Sequence, residues 1–331
     1  MIATIMPRHR ASITMILHGL GAALRATMER FPALEKLVAC GDGLQCRVER
    51  ESHAALDDWQ RDVLQTLALP AAEFSSAPAS WIGLGGAIDA GTWLHVDPVH
   101  LAVSVDGLAL HLVEPFSAME LDRVEPMLRD HCRQAGFSWH RTANGAVFLH
   151  HSDKLDVRTV APAVASRHAL RAMQAQGNDA SRLIRLSTEL QMLLHDSSVQ
   201  ALSGERQSMP INALWLWGAG ELCAQRKLAL PNAWSNEAYV RGVYRSCAQR
   251  CHDAPSSLDG VERSDGDALI VTHAANVLDA ERRWFEPLLR AVRAGVWSRA
   301  HVYMDDLSFG IDRTQLWRVW RRSRALAEWI E

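Results

Sequence analysis

At 331 residues the chain can bury a large core, enough for one large domain or two ordinary ones. A hydrophobic fraction of 48% with 22% charged residues excludes a disordered chain, and a formal net charge of −3 excludes a global field that would recruit nucleic acid or an anionic membrane. Six cysteines (Cys40, Cys46, Cys132, Cys223, Cys247, Cys251) share no repeated short spacing. Cys247-x-x-x-Cys251-His252 is half of a zinc motif with no answering pair, which fits reduced thiols in the cytoplasm. No stretch has the length of a membrane span or the layout of a signal peptide, so a cytoplasmic protein without membrane contact is expected.

Ser12–His18 reads as a first buried strand, followed by a Gly19/Gly21 turn and a helix from about Ala22. A second helix is predicted over Ala54–Leu69, where Leu56, Trp59, Val63, Leu64 and Leu67 recur at helical spacing. Ala71–Gly91 is rich in Ala, Ser, Gly and Pro; no helix follows Gly83, Gly85 and Gly86 at the distance a phosphate loop needs, so a flexible connection is expected. His100–Val105 and Leu108–Val113 flank Asp106-Gly107, a dipeptide that favours a two-residue hairpin turn. Ser117 and Glu120 form a capping-box signature ahead of a helix with Leu121, Val124 and Leu128 on one face. Pro126, lacking an N–H, is expected to kink or split that helix. A second hairpin is predicted around Asn144-Gly145, between Trp139–Arg141 and Val147–His150.

From Asn178 a leucine stripe (Leu183, Leu186, Leu190, Leu193, Leu194) marks another helix, with Arg185 and Glu189 paired four apart. Apolar runs at Ala268–Thr272 and Val302–Met304 then alternate with helical segments, one of them carrying Trp284, Leu288, Leu289 and Val292. Strands separated by helices imply a parallel sheet. The expected fold is therefore α/β: a mainly parallel sheet flanked by helices, built from residues 1–75 and 160–331, with an inserted antiparallel α+β lobe at 80–155.

The stretch Met209–Gly220 stands out. A run of roughly five apolar residues between Pro210 and Gly218 fits a strand buried on both faces, typical of parallel sheets, whose ligands bind beyond the carboxyl end. If the loop after Leu194 folds back over that end, His195, Arg206, Asn212, Trp217, Gly218 and Gly220 gather into a ligand pocket, with Arg206 gripping a phosphate or carboxylate. The simpler alternative is a tight turn, a helix-terminal histidine and a surface Glu205-Arg206 pair. His95, Asp97 and His100 offer acid–base or metal-binding groups, though Asp97-Pro98 more simply starts a turn. Asp305-Asp306, with His273, stands where α/β sheets place metal or phosphate chemistry; solvated loop acids are the plainer reading. Trp317, Trp320, Arg318, Arg321, Arg322, Arg324 and Trp329 make a basic aromatic tail. Nucleic-acid stacking is one use for it, and docking of Trp317 and Trp320 on one face of a terminal helix is the simpler one.

Several segments in this order resemble one family. They are Trp93-Leu-His-Val-Asp-Pro-Val-His-Leu101, Glu189-Leu-Gln-Met-Leu-Leu-His195, Glu205-Arg206, Ile211–Gly220, Trp284-Phe-Glu-Pro-Leu-Leu289 and Trp317-Arg-Val-Trp-Arg-Arg322. Over nearly the whole chain they resemble the RpfE-type regulatory proteins of proteobacteria. The Asn-x-x-Trp-Leu-Trp-Gly-x-Gly stretch also resembles archaeal-type cofactor-independent phosphoglycerate mutases, over little beyond residues 210–220 and a loose match of the later strands. The second resemblance implies an alkaline-phosphatase-like core carrying two metal ions and a serine nucleophile. Where that family has Asp-Gly after the first strand, this chain has His18-Gly19; where it has an acidic, histidine-bearing loop, Thr272-His273-Ala274-Ala275-Asn276; where it has Asp-His, Asp305-Asp306. Two divalent ions need several converging oxygen or imidazole ligands, and too few remain, with Asp305 alone carried over on the motif. The resemblances together imply a non-catalytic, regulatory protein on a degenerate scaffold, with no cofactor and no catalytic residues, serving a protein partner or a small anionic ligand. The alternative they leave is a Mn- or Zn-dependent phosphomutase or phosphohydrolase with ligands drawn from His18, His273, Asp305 and Asp306.

Overall fold

The computed structural model describes residues 11–27, 29–46, 55–87, 89–104, 107–168, 170–195, 209–222, 225–261, 266–318, 320–321 and 323–326. In chain order these form β1 (Ser12–His18), α1 (Gly21–Ala26), α2 (Pro32–Cys40), β2 (Gln45–Cys46), α3 (Asp58–Thr66), α4 (Ser76–Gly83), β3 (Thr92–Ser104), β4 (Gly107–Leu112), α5 (Ala118–Gln134), β5 (Ser138–Arg141) and β6 (Val147–His151). There follow α6 (Pro162–Ala165), α7 (Ala180–Leu194), β7 (Ala213–Gly220), β8 (Asn232–Ser235), α8 (Ala238–Ser246), β9 (Cys251–His252), β10 (Ala268–His273), α9 (Val277–Ala280), α10 (Glu286–Ala294), β11 (Arg299–Met304) and β12 (Leu307–Asp312). None of the described helices is long and apolar enough to cross a membrane.

The larger sheet has the order β2-β12-β11-β1-β10-β8-β9. Its strands β11, β1, β10, β8 and β9 run parallel, with β12 and β2 added antiparallel at one edge. β1 sits in the middle because its side chains alternate between two apolar layers. Ile13, Met15 and Leu17 share a core with Leu34 and Leu37 of α2 and Leu288 and Val292 of α10, whereas Ile16 faces Val63 of α3 and Val240 and Val243 of α8. The mainly parallel α/β sheet read from the sequence is present, with an antiparallel sheet beside it.

That smaller sheet, β4-β3-β6-β5 with β7 against β3, is antiparallel throughout. Both predicted hairpins form. β3 and β4 pair from Val99↔Leu112 to Ser104↔Gly107, with residues 105 and 106 outside the described residues, and β5 meets β6 across Asn144-Gly145. The Ser117/Glu120 capping box starts α5 as expected, but the helix is not split at Pro126. Pro126 lies on its exposed side, so the carbonyl it fails to match faces water.

Three expectations are corrected. The Trp215 strand does not belong to the parallel sheet: β7 runs antiparallel to β3, with Val96 opposite Leu216 and Asp97 opposite Trp215. Its run is apolar because both its faces are covered. Leu214 and Leu216 share a core with Leu183, Leu186 and Leu190 of α7; Ala213 and Trp217 share another with Val160, Val164 and Met173. With β7, α7 and the Val160–Met173 stretch therefore pack on the smaller sheet.

Ala71–Gly91, expected to be a flexible connection, contains α4. Its small residues allow two helices to meet backbone to backbone. A Cβ on Gly83 would lie 1.8 Å from the Ala238 carbonyl oxygen, and one on Gly242 1.7 Å from that of Ala79. Finally, no terminal helix docks Trp317 and Trp320 among the described residues. The stretch Gln315–Trp317 is a 3₁₀ turn and the two indoles are 76% and 74% exposed. The arginines do the docking instead. Arg318 donates to the Cys40 and Gly41 carbonyls and Arg321 to that of Gly41, at the end of α2, where helical carbonyls lack intrahelical donors.

The start of α2 is capped from a distance. It begins at Pro32 with no capping side chain of its own, and the buried Glu281 supplies one from a π-helical turn between α9 and α10. Glu281 accepts from Ala33 N at 2.6 Å and Leu34 N at 3.1 Å. Glu281→Ala leaves two buried N–H groups unmatched, and urea unfolding is expected to show a loss of about 2 kcal/mol. An unchanged midpoint would mean that water replaces the carboxylate at no cost.

Candidate functional site

The carboxyl ends of β1, β10 and β11 open onto one cleft of about 720 Å³, walled on its other sides by the start of α3, the end of β4 and the residues of and after α6. His18 ends β1, His273 ends β10, and Asp305-Asp306 is the two-residue turn between β11 and β12. The four residues singled out for a metal site thus do converge on one cleft.

Each of the four is committed elsewhere in the chain, or lies against a residue that is. The His18 ring stacks on Trp59 (centroids 4.6 Å apart), its Nε2 lies 3.1 Å from Glu237 Oε1, and the His273 ring stands edge-on at 5.2 Å. Burial alone would raise the Glu237 carboxyl; the hydrogen bond and charge of His18, with His273 behind, outweigh it and hold the group below its ordinary value. Asp305 accepts from Gly19 N at 2.8 Å and Gly21 N at 2.6 Å, and reaches them from a left-handed backbone, φ 53°. Such a conformation is costly for a residue with a Cβ, though least so for Asp and Asn in turns. Asp306 pairs with Arg25. No group of three or more His, Cys, Asp or Glu among the described residues is arranged to hold a metal ion.

The α3 wall carries groups that sequence reasoning passed over. Asp57 and Gln60 form a capping box, which the Asp-x-x-Gln spacing does announce. Asp58 pairs with both Arg61 and Arg167, the latter at 2.8 Å. Asp57 keeps one oxygen, Oδ1, buried without a hydrogen-bond partner among the described residues. Burial, then the charges of Asp97 and Asp58, push its carboxyl up to about 6.

From this wall a chain of buried polar groups crosses to the smaller sheet. Gln60 Nε2 donates to Ser76 Oγ at 2.9 Å, and Ser76 Oγ lies 3.1 Å from His95 Nε2. Having accepted from Gln60, Ser76 has its proton for His95, which suits a neutral imidazole. Burial pushes His95 down to about 3. The His95 ring stacks on Trp217 (4.5 Å), whose Nε1 donates to Asp97 Oδ2 at 2.6 Å; burial pushes Asp97 up to about 6.

Of the six residues expected to line a pocket beyond the Trp215 strand, five are among the described residues. Arg206 lies outside the described residues, and His195 is exposed at the end of α7. Asn212 is bound to the edge of β3: Oδ1 accepts from Leu101 N at 2.7 Å and Nδ2 donates to Leu101 O at 2.8 Å. His100 likewise turns away from His95 and Asp97, to the Pro210 carbonyl. Trp217 is buried in the chain just described. Gly218 (φ 68°) makes a bulge opposite Trp93–His95, where a Cβ would lie 2.9 Å from that of Ser76; one on Gly220 would lie 2.1 Å from Ser75 Oγ. The glycines admit a close backbone approach, as the sequence suggested, but what approaches is the start of α4.

No protein-family model matches the chain, and no curated protein matches it. Among solved structures it is similar to the cofactor-independent phosphoglycerate mutase from Thermoplasma acidophilum DSM 1728, at 15% identity over 96% of this chain and 94% of that one, with a TM-score of 0.45. It is also similar to a protein from Pyrococcus horikoshii, at 14% identity over 92% of this chain and 87% of that one, with a TM-score of 0.41.

Proposed function

We propose that this is a non-catalytic, regulatory protein that binds a small polar ligand in the cleft at the carboxyl edge of its parallel sheet. One observation carries the reading: the cleft side chains best suited to grip a metal or activate water are tied to other groups of the chain. Asp305 is held by two backbone N–H groups, Asp306 by Arg25, and His18 by Glu237 and Trp59. Arg61 and Arg167 both pair with Asp58, which sets two guanidiniums together at that wall of the cleft, where an anionic group of the ligand could reach them. The regulatory role and the cytoplasmic setting rest on the RpfE-type resemblance and on the sequence.

With Mn or Zn and a generic phosphomonoester, the purified protein is expected to give no turnover above the blank. Small organic anions should raise its melting temperature, and Arg167→Ala should abolish that rise. The convergence of His18, His273, Asp305 and Asp306 favours a second reading, a metal-dependent phosphomutase or phosphohydrolase. Stoichiometric bound metal, lost together with activity on Asp305→Ala, would establish it in place of the first.

A further inference from the structure

The charges lining the cleft do not balance. Five carboxylates (Asp57, Asp58, Asp62, Asp305, Asp306) face three guanidiniums (Arg25, Arg61, Arg167). Arg25 is taken by Asp306, and the other two by Asp58. Asp57 is left with a buried oxygen that no donor among the described residues reaches. A buried acceptor so placed is destabilising until a donor is supplied. Next along the helix, Trp59 lines the same cleft, its indole braced by the stacked ring of His18 and, edge-on at 5.9 Å, by Tyr239. Three successive residues thus present an acid with one oxygen lacking a donor, an acid holding two guanidiniums, and a fixed aromatic wall.

Granting the ligand-binding reading above, we infer that the cleft takes a zwitterion of the α-amino-acid type, with its ammonium on Asp57 beside Trp59 and its carboxylate on Arg167. The ammonium supplies the donor that Asp57 lacks, and an indole attracts a cation through its ring quadrupole. In an α-amino acid the two charges hang from one carbon; here the acid with the unmatched oxygen adjoins Asp58, which holds Arg167 at 2.8 Å. The rest of the volume leaves room for a side chain. An ammonium also favours the ionised form of an acid that otherwise sits at about 6, so binding near that pH should release a proton.

The test is calorimetric titration of the full chain at about pH 6 with L-phenylalanine, phenethylamine and 3-phenylpropionate, in two buffers of different ionisation enthalpy. Phenylalanine should bind about tenfold or more tighter than either singly charged analogue and release a proton. Asp57→Asn should reduce it to the level of phenylpropionate. Trp59→Leu, which keeps the carboxyl, should weaken phenylalanine and phenethylamine while sparing phenylpropionate; circular dichroism establishes that both variants fold. Phenylalanine binding no tighter than phenylpropionate, or unmoved by Asp57→Asn, overturns the zwitterion and leaves an anion-binding cleft. No binding of any of the three also overturns it, and the ligand-binding reading falls with it only if organic anions fail to shift the melting temperature as well.

Discussion

Gly242→Ala combined with Gly83→Ala is expected to unfold the protein at far lower urea than wild type, with a loss of about 3 kcal/mol or more. The added methyl groups would lie 1.7 Å from the Ala79 carbonyl oxygen and 1.8 Å from that of Ala238, and a side chain cannot swing aside because the obstacle is backbone. One helix must move by more than an ångström, and the helix available to move is α4. Ser76 stands at its first turn, fully buried between Gln60 and His95, so the shift also breaks the polar chain between the two sheets. A small loss of stability, with the urea slope unchanged, would show that α4 and α8 do not cross at backbone contact.

The second large effect is on the pH dependence of stability. Asp57 and Asp97 both sit near 6 in the folded protein against an ordinary value of 3.8. Between those values the native state binds protons that the unfolded chain releases. The stability these acids contribute is therefore full below about pH 4 and is lost as pH rises through about 6. His95 works the other way: with its folded value near 3 against 6.5, its contribution is present above about pH 6.5 and is lost as pH falls toward 3. Comparison of Asp97→Asn with wild type isolates one of the three. The amide oxygen can still accept from Trp217 but carries no charge to bury. The variant's stability relative to wild type should thus grow by on the order of 2 kcal/mol between about pH 4 and pH 8, read from urea midpoints across that range. A difference that stays flat with pH would mean that Asp97 is ionised at no cost, and that the junction between the sheets is wetter than its packing suggests.

How much of this was legible in the chain differs by element. The hairpins, the Ser117 cap, the leucine stripe of α7 and the central strand Ser12–His18 follow from local chemistry, because turn geometry, capping and period depend on residues within a few positions of each other. The Trp215 strand misled because an apolar run reports only that two faces are covered; α7 and the Val160–Met173 stretch cover them as well as the helices of a parallel sheet would. The glycines of the Ala71–Gly91 stretch were uninformative for a similar reason. A residue without a side chain permits close approach and does not say what approaches.

By itself the sequence determined that there would be a parallel α/β sheet with antiparallel hairpins beside it, and that His18, His273 and Asp305-Asp306 would end strands of that sheet. Strand polarity and connection length impose this on any chain so patterned. Only the tertiary structure decided what those side chains do there. Asp305 meets Gly19 and Gly21 and Asp306 meets Arg25 through contacts between segments 281 to 286 residues apart, and one oxygen of Asp57 is left unmatched among the described residues. Hydrogen bonding at such separations is set by how layers pack, and no local pattern encodes which partner arrives.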